Sequence, residues 1–175
     1  INKDNILKYL VEYDVVVLAG FQGINTEGKI TSLGRGGSDT TAVAIASSLN
    51  AERCDIFSDV DGVYSSDPTI VKNAKKIDKI SYEEMLEMSS MGAKVLHTRS
   101  VELAMKNNLT LQVLSSLTNQ EGTFIVNEKK LIEKEVVSGV SYSKDESKIT
   151  ISGIPDKPGI AAKIFRILSR NNINI

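Results

Sequence analysis

A glycine-rich segment with a single arginine, several hydroxyl groups and one carboxylate runs from Ser32 to Thr41, directly before an alanine-rich stretch, Ala42 to Leu49. Glycines let several backbone N–H groups point toward one position, and the start of a helix adds partial positive charge there. Arg35 carries a planar guanidinium that can pair with a carboxylate or phosphate through two hydrogen bonds. The segment predicts a site for a small anionic ligand. The alternative is a tight turn in which Ser38 or Asp39 caps the following helix.

An acidic loop, Asp59 to Asp67, is the second segment whose composition suits chemistry. Closely spaced aspartates could face Mg²⁺, directly or through water, or the hydroxyl groups and base of a nucleotide. The spacing does not fit a calcium EF-hand, because Tyr64 stands where the invariant glycine belongs. A solvated turn held by aspartate side chains is the alternative interpretation.

Three single residues narrow the chemistry further. Lys94 follows a glycine at a helix junction, where its ammonium group could reach a phosphate. His97 is the only histidine, so we expect it to be structural rather than a zinc ligand or a catalytic base. Cys54 is the only cysteine and lies inside a predicted strand, so we expect a buried and inert thiol. The two loops and the lysine together suit phosphoryl transfer, which depends on positioning and charge neutralisation.

These segments need a scaffold that brings their loops to one side. Val15 to Phe21 is a continuous apolar run, typical of a strand buried on both faces of a parallel sheet, and Cys54 to Ser58 predicts a second buried strand. Leu109 to Leu114 predicts a third strand and Gly122 to Val126 a fourth, with helical patterns between them. This order predicts an α/β sheet between helices. Ligands in such sheets bind beyond the carboxyl ends of the strands, so the loops after the first three strands should share one rim.

The pattern changes after residue 127. Residues 128–136 are charged without a clear period and predict a linker. Lys148 to Ile154 alternates like a half-buried strand, and Ile160 to Leu168 has the apolar spacing of an amphipathic helix. We therefore predict a first domain over residues 1–127 and the start of a small α+β domain over residues 137–175.

Composition restricts the partners. The chain has 175 residues with 21 basic and 22 acidic side chains, a net charge of −1 that gives no support to nucleic acid or a membrane surface as partner. No apolar run approaches the roughly 20 residues that a membrane span requires. A single cysteine cannot form an intrachain disulfide, so we expect a reducing compartment and a cytoplasmic protein. Because the chain opens on Ile1 and stops in a strand-like Ile173 to Ile175, we expect it to be a piece of a longer protein.

The ordered motifs together resemble those of the aspartokinases. Leu33 to Ala42 is similar to the substrate loop of that family, and Ser58 to Pro68 is similar to its nucleotide loop. Gly92 to His97 resembles a third segment of the family, which contacts ATP. Asp156 to Phe165 resembles the opening of the regulatory ACT domain, so that the resemblance covers essentially the whole chain.

The resemblance implies the amino-acid kinase fold, a mainly parallel sheet between helices that is incomplete in this chain. The start of an α+β, ferredoxin-like ACT domain would follow it. The implied reaction transfers the γ-phosphoryl group of ATP to the side-chain carboxylate of L-aspartate, with Mg²⁺, as the first step toward lysine, threonine and methionine. The resemblance also implies a homo-oligomer and an amino-acid effector, lysine or threonine, bound at the completed ACT region.

The resemblance assigns roles to individual residues. Phe21, Arg35 and Ser38 would hold aspartate, and Asp39 would organise the transfer site. The residues that would hold ATP are Ser58, Asp59, Tyr64, Lys94 and Val95. No residue is assigned as a direct metal ligand. Thr69 stands where the family usually has arginine, a departure at one phosphate contact of the family.

The Lys-Phe-Gly-Gly-Thr-Ser motif of the family, with its catalytic lysine, does not occur in these residues, where Arg35 and Lys94 are the cations visible in the motifs. We therefore expect the 175 residues alone to be inactive and a further cation to lie in a preceding segment. Two alternatives stay open. One is another enzyme of the same fold, such as glutamate 5-kinase, whose relatives tend to show Gly-Thr-Gly-Gly-Met at Gly34 to Ser38. The other is a non-catalytic regulatory or assembly fragment.

Overall fold

The computed structural model describes residues 1–93, 95–131, 137–142, 151, 153, 155 and 157–173, which fall in two units, Ile1–Ser143 and Lys144–Ile175. The first unit follows the order α1 (Lys3–Glu12), β1 (Gln22–Ile24), β2 (Ile30–Ser32), α2 (Gly37–Ser48), β3 (Arg53–Ser58), β4 (Val63–Tyr64), β5 (Lys76–Ile77), β6 (Lys79–Ser81), α3 (Tyr82–Ser90), α4 (Thr98–Asn107), β7 (Thr110–Ser115), β8 (Thr123–Val126) and a 3₁₀ turn (Glu128–Lys130). The linker over residues 128–136 stays a prediction, since residues 132–136 lie outside the described part.

A four-stranded sheet in the order β3-β7-β8-β6 forms the centre of the first unit. β3 and β7 are parallel from Arg53–Thr110 to Ser58–Ser115, and β6 is parallel to β8, whereas β7 and β8 are antiparallel. Two short hairpins, β1-β2 and β4-β5, lie outside this sheet. The predicted α/β fold with a mainly parallel sheet between helices is therefore confirmed.

The core lies where β7 and β8 meet the helices. Leu111, Val113 and Ile125 on these strands are fully buried, as are Val43 of α2 and Val101 of α4. Each such side chain contributes about 1.5–3 kcal/mol relative to an exposed position. The run predicted as the third strand is therefore β7, at the centre of the sheet. Its buried side chains share one core with the helices that carry the functional loops.

The predicted strand from Val15 to Phe21 is wrong. Residues 15–20 form no strand, and Val15 and Val17 are 76% and 90% exposed. Phe21 has a positive φ of 67°, so the backbone turns there instead of continuing in extended form. An apolar run becomes a strand only where a neighbour supplies ladder hydrogen bonds, and no described strand pairs with this segment.

The start of α3 follows local sequence closely. The Ser81 hydroxyl accepts a hydrogen bond from the Glu84 N–H at 3.2 Å, and the Glu84 carboxylate accepts one from the Ser81 N–H at 3.0 Å. This reciprocal pair satisfies two N–H groups that the helix end leaves without partners, an arrangement that contributes about 1 kcal/mol. The capping box read from the sequence is confirmed.

The described part of the second unit contains one helix, α5 (Ile160–Arg170), which begins after Gly159 in the left-handed conformation. This confirms the predicted amphipathic helix, in which Ile160, Ile164 and Leu168 are less exposed than their neighbours. The strand predicted over Lys148 to Ile154 lies largely outside the described residues. No helix within the described ranges combines the length and apolar character needed to cross a membrane.

Cys54 lies in β3 with 7% of its surface exposed, as predicted for a buried thiol. Burial, with smaller effects from the charges of Asp55 and Asp39, raises the pKa of the thiol from 9.0 to about 11. The thiol is therefore neutral at physiological pH and unsuited to act as a nucleophile.

We expect the free energy of unfolding to fall as the pH rises from about 9 to about 11, because the unfolded state loses the Cys54 proton first. Below pH 9 both states keep the proton and the contribution of this thiol is fully present. Denaturant titrations at several pH values, compared with those of Cys54→Ala, measure this part. A thiol that reacts with iodoacetamide as fast in the native as in the unfolded protein at pH 8 would contradict the account.

Candidate active site

The glycine segment forms a tight loop between β2 and α2. Gly34 and Gly36 have φ values of 75° and 71°, a region that residues with a Cβ atom adopt at a cost. The Gly34 N–H donates to Ser32 Oγ at 3.0 Å, and the Gly37 N–H donates to the Gly34 carbonyl at 3.0 Å. These bonds close the loop and leave the Arg35 side chain exposed at its tip.

The start of α2 decides between the two interpretations of this loop. The N-cap is Gly36, which has no side chain to cap the helix, and Ser38 and Asp39 lie within the first turn. The alternative in which Ser38 or Asp39 caps the helix is therefore wrong. Ser38 Oγ donates instead to Asp39 Oδ1 at 3.4 Å. An uncapped helix start beside an exposed arginine suits an anion.

Phe21 lies directly against this loop. Its N–H donates to Thr41 Oγ1 at 3.1 Å, and its carbonyl accepts from the Leu33 N–H at 3.0 Å. A Cβ atom at Gly37 would lie 3.0 Å from Phe21 Cδ2, so the ring packs on the helix start. The structure thus brings together all four residues assigned to aspartate and transfer, which are Phe21, Arg35, Ser38 and Asp39.

The acidic loop begins at the carboxyl end of β3. Ser58 Oγ donates to Asp59 Oδ1 at 2.9 Å. The Ser58 carbonyl accepts from both the N–H and the hydroxyl of Ser116, at 2.8 and 2.9 Å, in the loop after β7. The loops after these two parallel strands share one rim, as predicted. A third loop was predicted at this rim because it would follow a strand over Val15 to Phe21. Since that strand does not form, the sheet does not place this loop at the rim.

Tyr64 takes part in a small charged network. Its hydroxyl donates to Asp61 Oδ1 at 3.0 Å, and Lys76 Nζ lies 3.8 Å from Asp61 Oδ2 while donating to the Glu121 carbonyl at 2.8 Å. Burial first, and then the hydrogen bond and charge of Asp61, raise the pKa of the Tyr64 hydroxyl. The hydroxyl is therefore committed to Asp61, which leaves the ring as the part of Tyr64 available to a ligand.

A buried threonine holds the acidic loop in place. Thr123 Oγ1, fully buried in β8, accepts from the Val63 N–H at 2.8 Å and donates to the Ile77 carbonyl at 2.6 Å. A Cβ atom at Gly62 would lie 2.6 Å from the same hydroxyl. Sequence reasoning missed both Lys76 and Thr123, because their partners lie far away in the sequence.

The third motif is described except for Lys94, which lies outside the described residues. Val95 is half-buried against the core and Leu96 is buried. His97 is the N-cap of α4, where its Nδ1 accepts from the Arg99 N–H at 3.4 Å. A Cβ atom at Gly36 would lie 2.3 Å from His97 Cγ, so the third motif packs directly on the glycine loop.

The far end of the acidic loop is fixed by local bonds and by a distant segment. Asp67 Oδ1 accepts from the N–H and the hydroxyl of Thr69, at 2.8 and 2.6 Å, so Thr69 closes a turn here. The Val140 N–H donates to the Ser65 carbonyl at 2.7 Å. A Cβ atom at Gly139 would lie 3.1 Å from that carbonyl. Gly139 and Val140 thus pack against the end of the acidic loop.

Comparison with known proteins places this geometry in a family. The amino acid kinase family matches residues 1–115. The aspartate kinase of Pseudomonas putida is 50% identical over 176 residues, which cover 100% of this chain and 43% of that protein. E. coli aspartokinase III in complex with aspartate and ADP superposes with a TM-score of 0.75 at 34% identity, covering 99% of this chain and 39% of that one. The same enzyme with lysine and aspartate gives 0.72 at 32% identity, covering 98% and 39%.

The protein has an α/β fold in which the acidic loop lies at the carboxyl end of a parallel strand, the usual ligand position in such sheets, and the glycine loop lies at the start of α2. The family match makes the class specific: the chain belongs to the amino acid kinase family. Its resemblance to the aspartokinases, read from the motifs, is confirmed by the relatives. The chain spans less than half the length of the relatives it matches, 43% of the P. putida protein.

Proposed function

We propose that this chain is part of an aspartate kinase that transfers the γ-phosphoryl group of ATP to the side-chain carboxylate of L-aspartate. The observation that carries the proposal is the contact between the Arg35-bearing loop and the third motif at His97 and Gly36. This contact joins the segment suited to an acidic substrate to the segment suited to ATP. The aspartate and ADP named in the E. coli complex support the same pairing of ligands.

On the substrate side, the Arg35 guanidinium binds a carboxylate of aspartate through two hydrogen bonds. Ser38 adds a hydroxyl donor from the first turn of α2, where the helix dipole also favours negative charge. The half-exposed Phe21 ring borders the site on its apolar side. Asp39, within hydrogen-bond reach of Ser38, organises the transfer site from the same turn.

On the nucleotide side, Ser58 and Asp59 face the hydroxyl groups of ATP from the end of β3. The Tyr64 ring and the Val95 backbone line the site, and Lys94 pairs with a phosphate. Thr69 takes no part in phosphate binding, since its hydroxyl already donates to Asp67.

Magnesium fits the donors that these loops offer. Within the described ranges no three histidine, cysteine or acidic side chains converge on one point. Mg²⁺ needs only one or two protein carboxylates when phosphates supply other oxygens, so Asp39 and Asp59 suffice as acidic side chains for an ion that arrives with ATP. The ion would neutralise the charge that develops on the phosphates.

Asp59→Ala is expected to raise the KM for ATP by roughly tenfold, with less than a twofold change in the KM for aspartate. The Asp59 carboxylate lies at the end of β3, where it accepts a hydrogen bond from Ser58. Its removal would lose one charge-assisted hydrogen bond to ATP, which contributes about 1.5–3 kcal/mol. Steady-state kinetics with each substrate varied in turn measure the two constants. Asp14→Ala, which removes an exposed carboxylate outside the loop, is the control. A larger effect on aspartate than on ATP would reverse the assignment of this loop.

The reaction itself is tested by ADP release from the protein expressed from its complete reading frame. We expect release to depend on L-aspartate and to be at least tenfold slower with L-glutamate, because the arginine fork holds one carboxylate and the extra methylene of glutamate then displaces the other carboxylate from the transfer site. Preferred use of glutamate would support the glutamate 5-kinase alternative. No turnover with any acidic amino acid would support a regulatory or assembly role.

We further propose a cytoplasmic homo-oligomer whose ACT region binds lysine or threonine as effector. The complex of E. coli aspartokinase III with lysine supports this choice of ligand class. Binding would change activity only by favouring one of two arrangements of the protein. Calorimetry with both amino acids, paired with kinase assays, tests the proposal. No binding and no inhibition by either amino acid would remove it.

A further inference from the structure

Arg99, near the start of α4, reaches across to the glycine loop. Its Nη2 group donates to the Leu33 carbonyl at 3.0 Å and also to the Arg35 carbonyl. These two carbonyls flank Gly34, the residue at which the loop turns. No motif of the sequence pointed to this side chain, since its partners lie 66 and 64 positions away.

The same turn of α4 touches the loop a second time. The His97 ring lies over Gly36 so closely that a Cβ atom there would come within 2.3 Å of it. The Nδ1 atom of that ring accepts from the backbone N–H of Arg99, so the ring is held at the same helix start that carries the Arg99 side chain. The start of α4 therefore holds both ends of the turn that carries Arg35.

We propose that Arg99 is a positioning residue that holds the glycine loop in the conformation presenting Arg35 to the acidic substrate. The inference rests on the proposed function for the identity of that substrate. A loop with two glycines in the left-handed region has several alternative conformations, and a donor shared by two carbonyls removes them. With these two carbonyls held by Arg99, the loop keeps the conformation in which the Arg35 side chain is exposed at its tip. Arg99 also adds positive charge behind the site without touching the substrate.

A role in general stability does not explain this geometry. Arg99 is exposed, and it forms no ion pair with any carboxylate of the described residues. The helix is held instead by Ser100 and Val101, both fully buried. Removing the Arg99 side chain should therefore free the loop and leave the fold in place.

The test uses the protein expressed from its complete reading frame, with Arg99→Ala, Arg99→Lys and the control Lys106→Ala on the same helix. Arg99→Ala is expected to raise the KM for aspartate about tenfold. The KM for ATP should stay within about twofold of the wild-type value. Arg99→Lys should recover part of this loss, since it keeps a cationic hydrogen-bond donor but loses the planar fork. Lys106→Ala should match the wild type. Equal changes in both constants, together with a lowered Tm, would overturn the proposal in favour of a structural role.

Amide hydrogen exchange gives a readout that does not depend on the reaction. Peptides covering residues 33–37 should exchange faster in Arg99→Ala than in the wild type. In Lys106→Ala the exchange rate of the same peptides should equal that of the wild type. Unchanged exchange in Arg99→Ala would overturn the inference even if the protein is an aspartate kinase. Faster exchange in Arg99→Ala, combined with no aspartate-dependent turnover in the wild type, would support the positioning role of Arg99 and contradict the proposed substrate. Arg99→Lys serves the same comparison if the alanine variant does not fold.

Discussion

Replacing Gly36 by alanine is expected to lower kcat/KM for aspartate by roughly a hundredfold or more. The new Cβ atom would lie 2.3 Å from His97 Cγ, so the ring, the loop or both must move by about an ångström. A displacement of that size in a substrate-positioning loop costs on the order of 10²-fold in rate. Steady-state kinetics on the purified variant measure the loss.

Gly28→Ala is the matched control for this variant. Gly28 also has a positive φ, 77°, but a Cβ atom there meets nothing within 4 Å. Gly28→Ala therefore measures the effect of backbone strain alone. We expect it to lower the free energy of unfolding by about 1–2 kcal/mol and to leave the activity unchanged. The double variant Gly36→Ala, His97→Gly removes both the ring and the His97 Cβ atom, which would lie 2.6 Å from the new Cβ atom, and should recover part of the activity. Equal kinetics for Gly36→Ala and Gly28→Ala would show that the contact between the loop and α4 does not matter for catalysis.

Arg35→Lys is expected to raise the KM for aspartate by roughly ten- to a hundredfold and to leave the KM for ATP nearly unchanged. Lysine keeps the positive charge but loses the planar fork, and a charge-assisted hydrogen bond contributes about 1.5–3 kcal/mol. Arg35 is exposed at the loop tip, so the substitution should not change Tm.

Lys29→Arg, on an exposed side chain paired with Glu27, is the control for exchanging one cation for the other. Kinetics with each substrate varied in turn separate the two constants. An effect of Arg35→Lys on ATP alone would show that the glycine loop belongs to the nucleotide.

The features that could be predicted from the sequence are those decided within a few residues or by burial alone. The capping box at Ser81 and Glu84 needs only its own turn, and the β7 run needs only a core to be buried in. The glycine loop was recognisable because its residue types carry the chemistry directly. The same segment also allowed a capped turn, and only the helix start at Gly37 separates the two.

The features that were missed or wrong depend on distant partners. Val15 to Phe21 has the composition of a buried strand, but pairing decides whether a strand forms, and composition does not report pairing. Thr123 and Arg99 donate to backbone carbonyls 46 to 66 positions away. Because every residue has a backbone carbonyl, the residue types in the sequence do not indicate such a partner. The assignment of Tyr64 to ATP stays a prediction, and the bond of its hydroxyl to Asp61 leaves the ring for that role.

Trapping the product with hydroxylamine tests the aspartate kinase proposal most directly. An acyl phosphate on the aspartate side chain reacts with hydroxylamine to give the β-hydroxamate and free phosphate, and mass spectrometry identifies the hydroxamate. With the protein expressed from its complete reading frame, we predict aspartate β-hydroxamate in an amount equal to the ADP released. ADP release without hydroxamate, or a hydroxamate formed from glutamate in preference to aspartate, would contradict the account.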